Sequence, residues 1–422
     1  MLIGIIADDL TGATDVAVNL AREGLSVVQL NGLPDEKTAR PDTDAVVIAL
    51  KSRTIPAINA VDMATQAARW LREQGAERIY FKYCSTFDST AAGNIGPVTD
   101  ALLDLLGTDL AVATPAYPRN QRTVYRGHLF VGDRLLSESS MRHHPLTPMA
   151  DPDLVRCLAA QTKGQVGLIG WEAVKEGEAG IRAQIVRLRT ENYRHAILDA
   201  IEDEHLIAAG RAVLDMPLTT GGSGLAMGLA VALRNRATGG EIAGLKGNGK
   251  PAVILAGSCS QATLAQVKHA AERYPSLALD PITLSRDGSA LEEAVDWAKR
   301  HLGETPILIY ASQPAEQIAI THKTLGRDCA AGVVEYAFRT LARQLAKAGT
   351  GTFLVAGGET SGAVIEALEI KGLAIGPEIA PGVPWTVATD GEPIRLALKS
   401  GNFGQTDFFS RALDMLHKGD AK

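Results

Sequence analysis

The feature that most constrains this fold is the alternation of short, β-branched apolar runs with amphipathic helical stretches along most of the chain. In the first half, several runs have the length and composition of buried strands: LIGII, AVVIAL, RIYFKY, LAVAT, VGLIG and HAILD. Three stretches between them have helical periodicity and end at glycine: TDVAVNLAREG, AVDMATQAARWLREQG and PDLVRCLAAQTKG. Strands that alternate with helices form largely parallel sheets covered by helices, so the sequence predicts an α/β fold.

A chain of 422 residues exceeds the size at which one hydrophobic core usually stops growing, so two domains are expected. The segment TGGEIAGLKGNGK (238–250) is polar, rich in glycine and without apolar periodicity, which is typical of a linker. We therefore predict domains at 1–237 and 251–422, joined by a linker at 238–250. Each domain is expected to contain a largely parallel sheet flanked by helices, with the active site in a cleft between the domains.

The composition argues against several classes of function. With 46% hydrophobic residues, 21% charged residues and a formal net charge of -6, the chain is typical of a globular protein without an electrostatic footprint for nucleic acid. No apolar run approaches the roughly 20 residues that span a bilayer, so no membrane partner and a cytoplasmic location are expected. The four cysteines form no C-x-x-C, and no metal site of the protein itself is predicted.

The stretch IGIIADDLTGATD places two carboxylates at the end of the first apolar run. Aspartate is a poor strand residue, and an uncompensated buried charge is costly. Asp8 and Asp9 therefore either cap the following helix or face a cleft and take part in chemistry. Asp15 is expected inside the first helix, in a structural role.

Cations follow the next two buried strands of the first domain. Lys51 and Arg53 come after AVVIAL, and Lys82 ends RIYFK with Asp88 close behind. If these strands are parallel to the first, all of these side chains leave the sheet on the side of the aspartate pair. Cations there can bind a carboxylate ligand, although a solvated charge or a salt bridge to an aspartate is the alternative. The turn TTGGSG, which contains Gly222, ends the last strand of this domain and could present amides to a ligand.

Glycine-rich turns at strand ends indicate a ligand site in the second domain. In VILAGSCSQATLAQV, Ser258 and Gln261 have the spacing of a capping box, so helix capping explains this turn better than phosphate binding when it is taken alone. The turn GGETSG and the turn at Gly401 repeat the arrangement of strand, glycine-rich turn and helix. The three turns together predict a crevice above a sheet edge that receives a nucleotide.

The chain resembles the four-carbon acid sugar kinase family in motifs that occur in the same order: GIIADDLTGATD, FKYCSTFDSTAAGNIGPVTDALL, HPLTPM, TGGSGL, GSCS, AGGETS, IAPGVPW and LALKSGNFG. The resemblance extends from residue 2 to about residue 411 and is greatest to the 3-oxo-tetronate kinase branch. Members of this family phosphorylate the terminal hydroxyl of four-carbon sugar acids with ATP. Their N-terminal domain binds the acid, and their C-terminal domain binds the nucleotide.

Carried onto this chain, the resemblance implies the following ATP contacts: Ser258, Gly358, Glu359, Thr360, Ser361 and Gly401. The implied reaction converts 3-oxo-tetronate and ATP into 3-oxo-tetronate 4-phosphate and ADP. Such phosphoryl transfer uses Mg²⁺ to neutralise phosphate charge and a positioned group to accept the proton of the substrate hydroxyl.

Successive side chains of an extended segment point to opposite sides, so Asp8 and Asp9 are expected to have different roles. The hypothesis is that Asp9 accepts the hydroxyl proton and Asp8 binds another substrate hydroxyl or the backbone, with the reverse assignment open. The other residues predicted to form the substrate pocket are Arg53, Lys82, Asp88 and Gly222. Of these, the two cations are candidates for contact with the substrate carboxylate and the transferred phosphoryl group.

Other substrates and other classes of function stay open at this stage. D-threonate or D-erythronate could replace 3-oxo-tetronate as the substrate. A nicotinamide-dependent oxidoreductase of a sugar acid would need a G-x-G-x-x-G turn after a strand, which the sequence lacks. A sugar-acid sensor would need the cations but not three glycine-rich turns, and a DNA-binding regulator would need a basic recognition helix. The expected partner is a small-molecule sugar acid, and a homodimer is an open alternative for assembly.

Overall fold

The structure is a computed structural model of the chain, and it describes residues 1–35, 38, 41–87, 90–143, 148–238, 249–391 and 393–419. The chain divides into two compact units, Met1–Glu241 and Ile242–Lys422, and each has its own core. Most of the predicted linker at 238–250 lies outside the described residues, so the linker stays a prediction. Among the described helices, none is both long enough and apolar enough to cross a membrane.

The strands of the first unit are β1 (Ile3–Ala7), β2 (Val27–Asn31), β3 (Ala45–Ala49), β4 (Ile79–Lys82), β5 (Ala111–Thr114), β6 (Arg122–Tyr125), β7 (His128–Val131), β8 (Arg134–Leu135), β9 (Val166–Ile169), β10 (His195–Leu198) and β11 (Leu218–Gly221). The main sheet has the order β2-β3-β1-β4-β11-β5-β10-β9, and its strand pairs are parallel. Strands β1 and β3 are buried along their whole length, as expected for a sheet with helices on both faces.

The helices of the first unit are α1 (Leu10–Arg22), α2 (Ala57–Glu73), α3 (Ile95–Leu106), α4 (Leu154–Ala159), α5 (Trp171–Val174), α6 (Gly177–Thr190), α7 (Asp203–Ala212) and α8 (Ser223–Leu233). Short 3₁₀ turns occupy 118–120, 136–138, 140–143 and 234–236. Helix α8 is almost entirely apolar, and it contacts α7 so closely that a Cβ at Gly210 would lie 2.1 Å from the backbone of Gly228. The small residues of α8 are therefore required for this packing.

Strands β6, β7 and β8 form a separate antiparallel sheet that interrupts the alternation of the first unit. The carboxylate of Asp199, which follows β10, anchors this excursion. It accepts hydrogen bonds from the backbone amides of Arg126, Gly127 and Trp171. A buried carboxylate with three amide donors holds the β6–β7 turn in place.

The strands of the second unit are β12 (Ala252–Ala256), β13 (Ser276–Ala278), β14 (Ile307–Tyr310), β15 (Thr352–Ala356), β16 (Gly372–Ala380), β17 (Val383–Ala388) and β18 (Arg395–Lys399). Its helices are α9 (Gln261–Ala271), α10 (Pro281–Arg286), α11 (Ala290–His301), α12 (Ala315–Leu325), α13 (Arg327–Lys347), α14 (Gly358–Ala367) and α15 (Phe408–Gly419).

The sheet of the second unit has the order β13-β14-β12-β15-β18-β17-β16. The first five of these strands are parallel, and the hairpin β16–β17 adds an antiparallel edge. One core of this unit lies around Trp385, which is buried and donates from Nε1 to the carbonyl of Ala412 in α15. The predicted α/β class with largely parallel sheets is confirmed in both units.

Candidate active site

The first cluster of polar side chains lies at the carboxyl edge of the sheet in the first unit. Parallel pairing aligns Ala7, the last residue of β1, with Ala49 of β3 and Lys82 of β4, and it aligns Gly221 of β11 with Lys82. The segments that follow these strands therefore leave the sheet at one edge. This confirms the expectation that the aspartates and the cations lie on the same side.

Asp8 is buried and forms a bidentate pair with Arg53. Arg53 donates from Nε to Oδ2 of Asp8 at 2.9 Å and from Nη2 to Oδ1 at 2.7 Å. The side chain of Asp8 is only 7% exposed, and both of its oxygens are used by this pair. Burial raises the pKa of Asp8 above its usual value, although the Arg53 charge and hydrogen bonds oppose that shift.

Asp9 caps the following helix, which is one of the two alternatives that the sequence left open, and it also lies against two cations. It is the N-cap of α1, because Oδ1 accepts from the amide of Gly12 at 3.0 Å. The same oxygen accepts from Nη2 of Arg53 at 2.7 Å, and Lys82 Nζ lies 3.9 Å from it. Its other oxygen, Oδ2, accepts only from the hydroxyl of Thr11 among the described residues. Asp9 thus keeps free acceptor capacity on a side chain that is 27% exposed.

The charges around Asp9 decide its protonation. Burial alone would raise the pKa of Asp9, but Lys82, Arg53 and the hydrogen bonds from Thr11 and Gly12 together hold it below its usual value. Asp9 is therefore a carboxylate at neutral pH, as a proton acceptor must be.

Lys82 is buried at the end of β4, and its ammonium group makes no hydrogen bond to any described residue. Its nearest carboxylate oxygen is that of Asp9, at 3.9 Å. Gly12 makes room for this approach, because a Cβ there would lie 2.0 Å from Nζ of Lys82 and 2.2 Å from Oδ1 of Asp9. Lys82 therefore has donors available for a ligand, whereas those of Arg53 are largely used by the aspartates.

Asp15 belongs to the same cluster, and the sequence reasoning gave it only a structural role. Its carboxylate accepts from the hydroxyl of Ser223, the first residue of α8. Burial raises the pKa of Asp15, while the positive charge of Lys82 acts in the opposite direction. Ser223 lies 208 positions further along the chain, so no local pattern in the sequence indicated this contact.

The remaining predicted residues of the first unit have different positions. Gly222 donates its amide to the carbonyl of Thr114 and accepts from the hydroxyl of Tyr80 at 2.6 Å, so its backbone groups are used within the fold. Lys51 is exposed. Asp88 lies outside the described residues, so its place in the pocket stays a prediction.

In the second unit, the three glycine-rich turns meet at one edge of the sheet. Strand pairing aligns Ala356, the last residue of β15, with Ala256 of β12 and Lys399 of β18. A Cβ at Gly401 would lie 2.3 Å from Oγ of Ser258, and one at Gly257 would lie 2.2 Å from Oγ1 of Thr360. The turns are therefore in direct contact, as their sequence pattern predicted.

The capping explanation for Ser258 is wrong. The N-cap of α9 is Ser260, whose hydroxyl accepts from the amide of Thr263. Ser258 lies outside the helix and is partly exposed. The capping-box spacing suggested the wrong residue because the chain needs two more residues, Cys259 and Ser260, to turn from the strand into the helix. Ser258 is thereby available for a ligand.

Helix α14 begins without a side-chain cap, since its N-cap is Gly357, with φ of 129°. The amides of its first turn are therefore left for a ligand, and the helix dipole favours an anion there. Gly358 and Glu359 are exposed, whereas Thr360 and Ser361 are buried. The hydroxyl oxygen of Ser361 is buried without a hydrogen-bond partner among the described residues.

A cavity of about 530 Å³ adjoins these turns within the second unit. Its polar lining includes Ser258, Glu359, Gln313, His322 and Arg327. The last three come from the segment after β14 and from α12 and α13. These three residues were not predicted from the sequence, because they are distant along the chain from the glycine-rich turns and carry no motif of their own. The cavity also has an apolar wall, formed by the following residues: Ile318, Ala330, Ala331 and Val334.

Two domain models of known protein families match the chain. A model of a sugar-binding N-terminal domain matches residues 3–229, and a model of a nucleotide-binding C-terminal domain matches residues 253–409. The carboxylate and cation cluster lies in the first of these ranges, and the glycine-rich turns lie in the second.

Individual relatives match over nearly the whole chain. A 3-oxo-tetronate kinase of Burkholderia multivorans is 50% identical over 98% of this chain and 97% of its own length. A 3-oxo-tetronate kinase of Pseudomonas fluorescens is 50% identical over 100% of this chain and 98% of its own length. The crystal structure of a Haemophilus influenzae protein, 43% identical, matches with a TM-score of 0.89 over 98% of this chain and 100% of that chain.

Proposed function

The chain belongs to the four-carbon acid sugar kinase family, and we propose that it phosphorylates the C4 hydroxyl of 3-oxo-tetronate with ATP. The reaction transfers the terminal phosphoryl group of ATP to the hydroxyl oxygen, with loss of the hydroxyl proton, and releases ADP. Its product is 3-oxo-tetronate 4-phosphate. The observation that carries this proposal is the 50% identity to 3-oxo-tetronate kinases over essentially the whole chain.

The second unit has the features that a nucleotide requires. The uncapped N-terminus of α14 offers free amides to phosphate oxygens, and Thr360 lies within its first turn. Ser258 and the turn at Gly401 extend this polar edge, and the unpaired hydroxyl of Ser361 is a further donor in the first turn. The apolar wall of the cavity suits a purine ring. We assign the phosphates to the glycine-rich turns and the base to this wall.

Magnesium fits this site as a companion of the phosphates. Among the described residues, no group of three histidine, cysteine or acidic side chains could hold a metal ion by itself. Mg²⁺ in phosphoryl transfer is usually held by phosphate oxygens, waters and one or two carboxylates. Glu359 lines the cavity in the first turn of α14 and is the carboxylate we propose for this contact. When bound, the ion neutralises phosphate charge.

The cluster in the first unit suits the sugar acid. We assign the proton of the C4 hydroxyl to Oδ2 of Asp9, which has free acceptor capacity on a partly exposed carboxylate. Lys82 is the cation we propose for the substrate carboxylate or the transferred phosphoryl group, because its ammonium group lies 3.9 Å from Asp9 and makes no hydrogen bond to a described residue. Arg53 holds the aspartate pair in position. Asp8 binds Arg53 through both oxygens and is the weaker candidate for the base.

The proposal is tested by an ADP-release assay with ATP and Mg²⁺ on three acids: 3-oxo-tetronate made in situ by a dehydrogenase, D-threonate and D-erythronate. We expect turnover mainly on 3-oxo-tetronate. Preferential turnover of D-threonate or D-erythronate would support the kinase activity but would show that the assigned substrate is wrong. Absence of ADP release with all three acids would contradict the proposed activity. In that case, a thermal shift with ADP but not with NAD⁺ would still support the proposed adenine-nucleotide site.

A further inference from the structure

Lys399 ends β18 and is buried, with 1% of its surface exposed. Its ammonium group donates to Oγ1 of Thr263 at 3.0 Å and to the carbonyls of Ser400 and Gly401, each at 3.1 Å. The three N–H donors of a lysine are thereby all used. The ring of Phe408 lies 6.0 Å from Nζ, so an aromatic face covers a further side of the charge.

The partners of Lys399 are neutral oxygens, and no described carboxylate forms an ion pair with it. Burying a charge is costly unless it is paired, and breaking a pair leaves the remaining charge strongly unfavourable. A cation held in this way is best explained by a negative charge that arrives from outside the protein. The location of Lys399 indicates where that charge binds.

Lys399 is connected to the cavity of the second unit through one turn. The carbonyl of Gly401 accepts from Lys399 and also from the hydroxyls of Ser260 at 2.6 Å and Thr263 at 2.9 Å. These three hydrogen bonds hold Gly401 close to Ser258. The approach is so close that a Cβ at Gly401 would lie 2.3 Å from the Ser258 hydroxyl oxygen. Ser258 in turn lines the cavity.

We propose that Lys399 is a positioning residue of the nucleotide site, which fixes the Gly401 turn against Ser258 and supplies a buried positive charge that the nucleotide phosphates compensate. This inference rests on the proposed binding of ATP by the second unit. Lys399 would thus contribute to the affinity for the nucleotide although it does not itself line the cavity. It also couples nucleotide binding to the protonation of Lys399.

The coupling has a definite sign. Burial lowers the pKa of Lys399 to about 8 and is the sole cause of this shift. The titratable side chains on the neighbouring elements make no contribution: Glu359, Lys268, His269, Asp407 and Arg411. A nearby polyanion favours the ammonium form and raises the pKa on binding. The free protein is therefore partly deprotonated at pH 8 while the complex is protonated, so binding takes up a proton.

The test is calorimetric titration of the full-length protein with ADP and Mg²⁺ in two buffers of different ionisation enthalpy. At pH 8 we expect uptake of on the order of half a proton per ADP. We also expect wild-type affinity to fall about tenfold from pH 7 to pH 9, because the protonated fraction of Lys399 falls by that factor. ADP and Mg²⁺ exchange few protons of their own in this range, so the uptake reports on the protein.

Variants separate this coupling from a purely structural role. K399R keeps a charge that does not titrate, so its ADP affinity should lose the pH dependence even if it is weaker overall. K399M should bind ADP about tenfold or more weakly at pH 7, the usual effect of losing a charge-assisted contact. K347M removes an exposed lysine of α13 and should behave as wild type.

Circular dichroism and thermal melting check that each variant is folded. Wild-type binding without proton uptake, and with affinity flat between pH 7 and pH 9, would overturn the inference even if K399M does not fold. Failure of the wild type to bind ADP would instead contradict the proposed function, and this inference with it.

Discussion

The guanidinium group of Arg53 bridges the two aspartates that follow β1, donating to both oxygens of Asp8 and to Oδ1 of Asp9. One cation therefore pairs with two adjacent carboxylates and fixes their orientation. Because Asp8 is buried and Asp9 is partly exposed, the pair is asymmetric. Arg53 holds Asp8 inside the fold and leaves one oxygen of Asp9 directed to other partners.

Replacing Arg53 should therefore damage stability as well as activity. R53A leaves Asp8 as a buried, unpaired carboxylate, and we expect unfolding free energy to fall by about 3 kcal/mol. Urea unfolding measures this change. K51A removes an exposed lysine two residues away and should change stability by less than about 0.5 kcal/mol. Equal stabilities for R53A and K51A would show that the bidentate pair contributes little.

Asp9 is the residue whose loss should affect turnover most. D9N keeps the shape of the side chain but removes the proton acceptor, so we expect kcat to fall by about 10²–10⁴-fold. Steady-state kinetics with ATP and the preferred acid measure this, and D42N, at an exposed aspartate, serves as the control. A D9N enzyme with near-normal kcat would move the role of the base to Asp8 or remove it from the mechanism.

Loss of Lys82 should lower kcat/KM for the sugar acid and leave the affinity for ADP unchanged. Its ammonium group has no described hydrogen-bond partner, so K82M removes donors that we assign to the substrate. We expect kcat/KM for the acid to fall about 10–100-fold, as for a lost charge-assisted hydrogen bond, with ADP affinity unchanged. Kinetics and ADP titration of the same preparation distinguish the two effects. Parallel losses in both would refute this assignment.

The effect of Asp15 on stability depends on pH. Its pKa is raised, chiefly by burial, so the folded protein binds more protons than the unfolded chain between the ordinary value of 3.8 and the raised value. The contribution of Asp15 to wild-type stability should therefore become more favourable as pH falls through that window. Asn cannot ionise, so D15N should melt at a higher temperature than wild type at pH 7, and the difference should shrink as the pH falls toward 3.8.

Thermal melts of D15N, wild type and D62N across this range provide the measurement. Asp62 is exposed on α2, so D62N should follow the wild type. A D15N protein that is less stable than wild type at pH 7 would mean that the hydrogen bond from Ser223 and the charge of Lys82 outweigh the cost of burial.

Much of the site could be predicted from sequence because it lies at the ends of parallel strands. Strand ends are readable from apolar runs and turn residues, and parallel pairing brings them to one edge. This is why Asp9, Arg53 and Lys82 could be grouped without a structure. The same reasoning grouped the turns at Ser258 and Gly401 in the second unit.

The parts that sequence reasoning missed depend on burial and on contacts between distant segments. Lys399 ends a strand, where a lysine is usually solvated, and only the positions of Thr263 and Phe408 show that it is enclosed. Asp15 was interpreted as an ordinary helical residue because its partner Ser223 is remote in the sequence. The antiparallel hairpin of β16 and β17 also went unpredicted, since its glycines and prolines interrupt the apolar pattern.

The contact between Gly401 and Ser258 gives the sharpest steric prediction for the nucleotide site. G401A would place a Cβ 2.3 Å from Oγ of Ser258 and 3.0 Å from Oγ of Ser260, so the turn must shift. Small misplacements of binding groups are costly, and we expect ADP affinity to fall about tenfold or more. The measurement is titration with ADP and Mg²⁺.

The matched control is G303A, at an exposed glycine after α11 that does not line the cavity and where a Cβ would meet no atom within 4 Å. This variant should bind ADP as wild type does and change stability by less than about 0.5 kcal/mol. If G401A and G303A bound ADP equally well, the turn at Gly401 would not belong to the nucleotide site. If only G401A lost affinity while both remained folded, the close approach of Gly401 to Ser258 would be established as a requirement for binding.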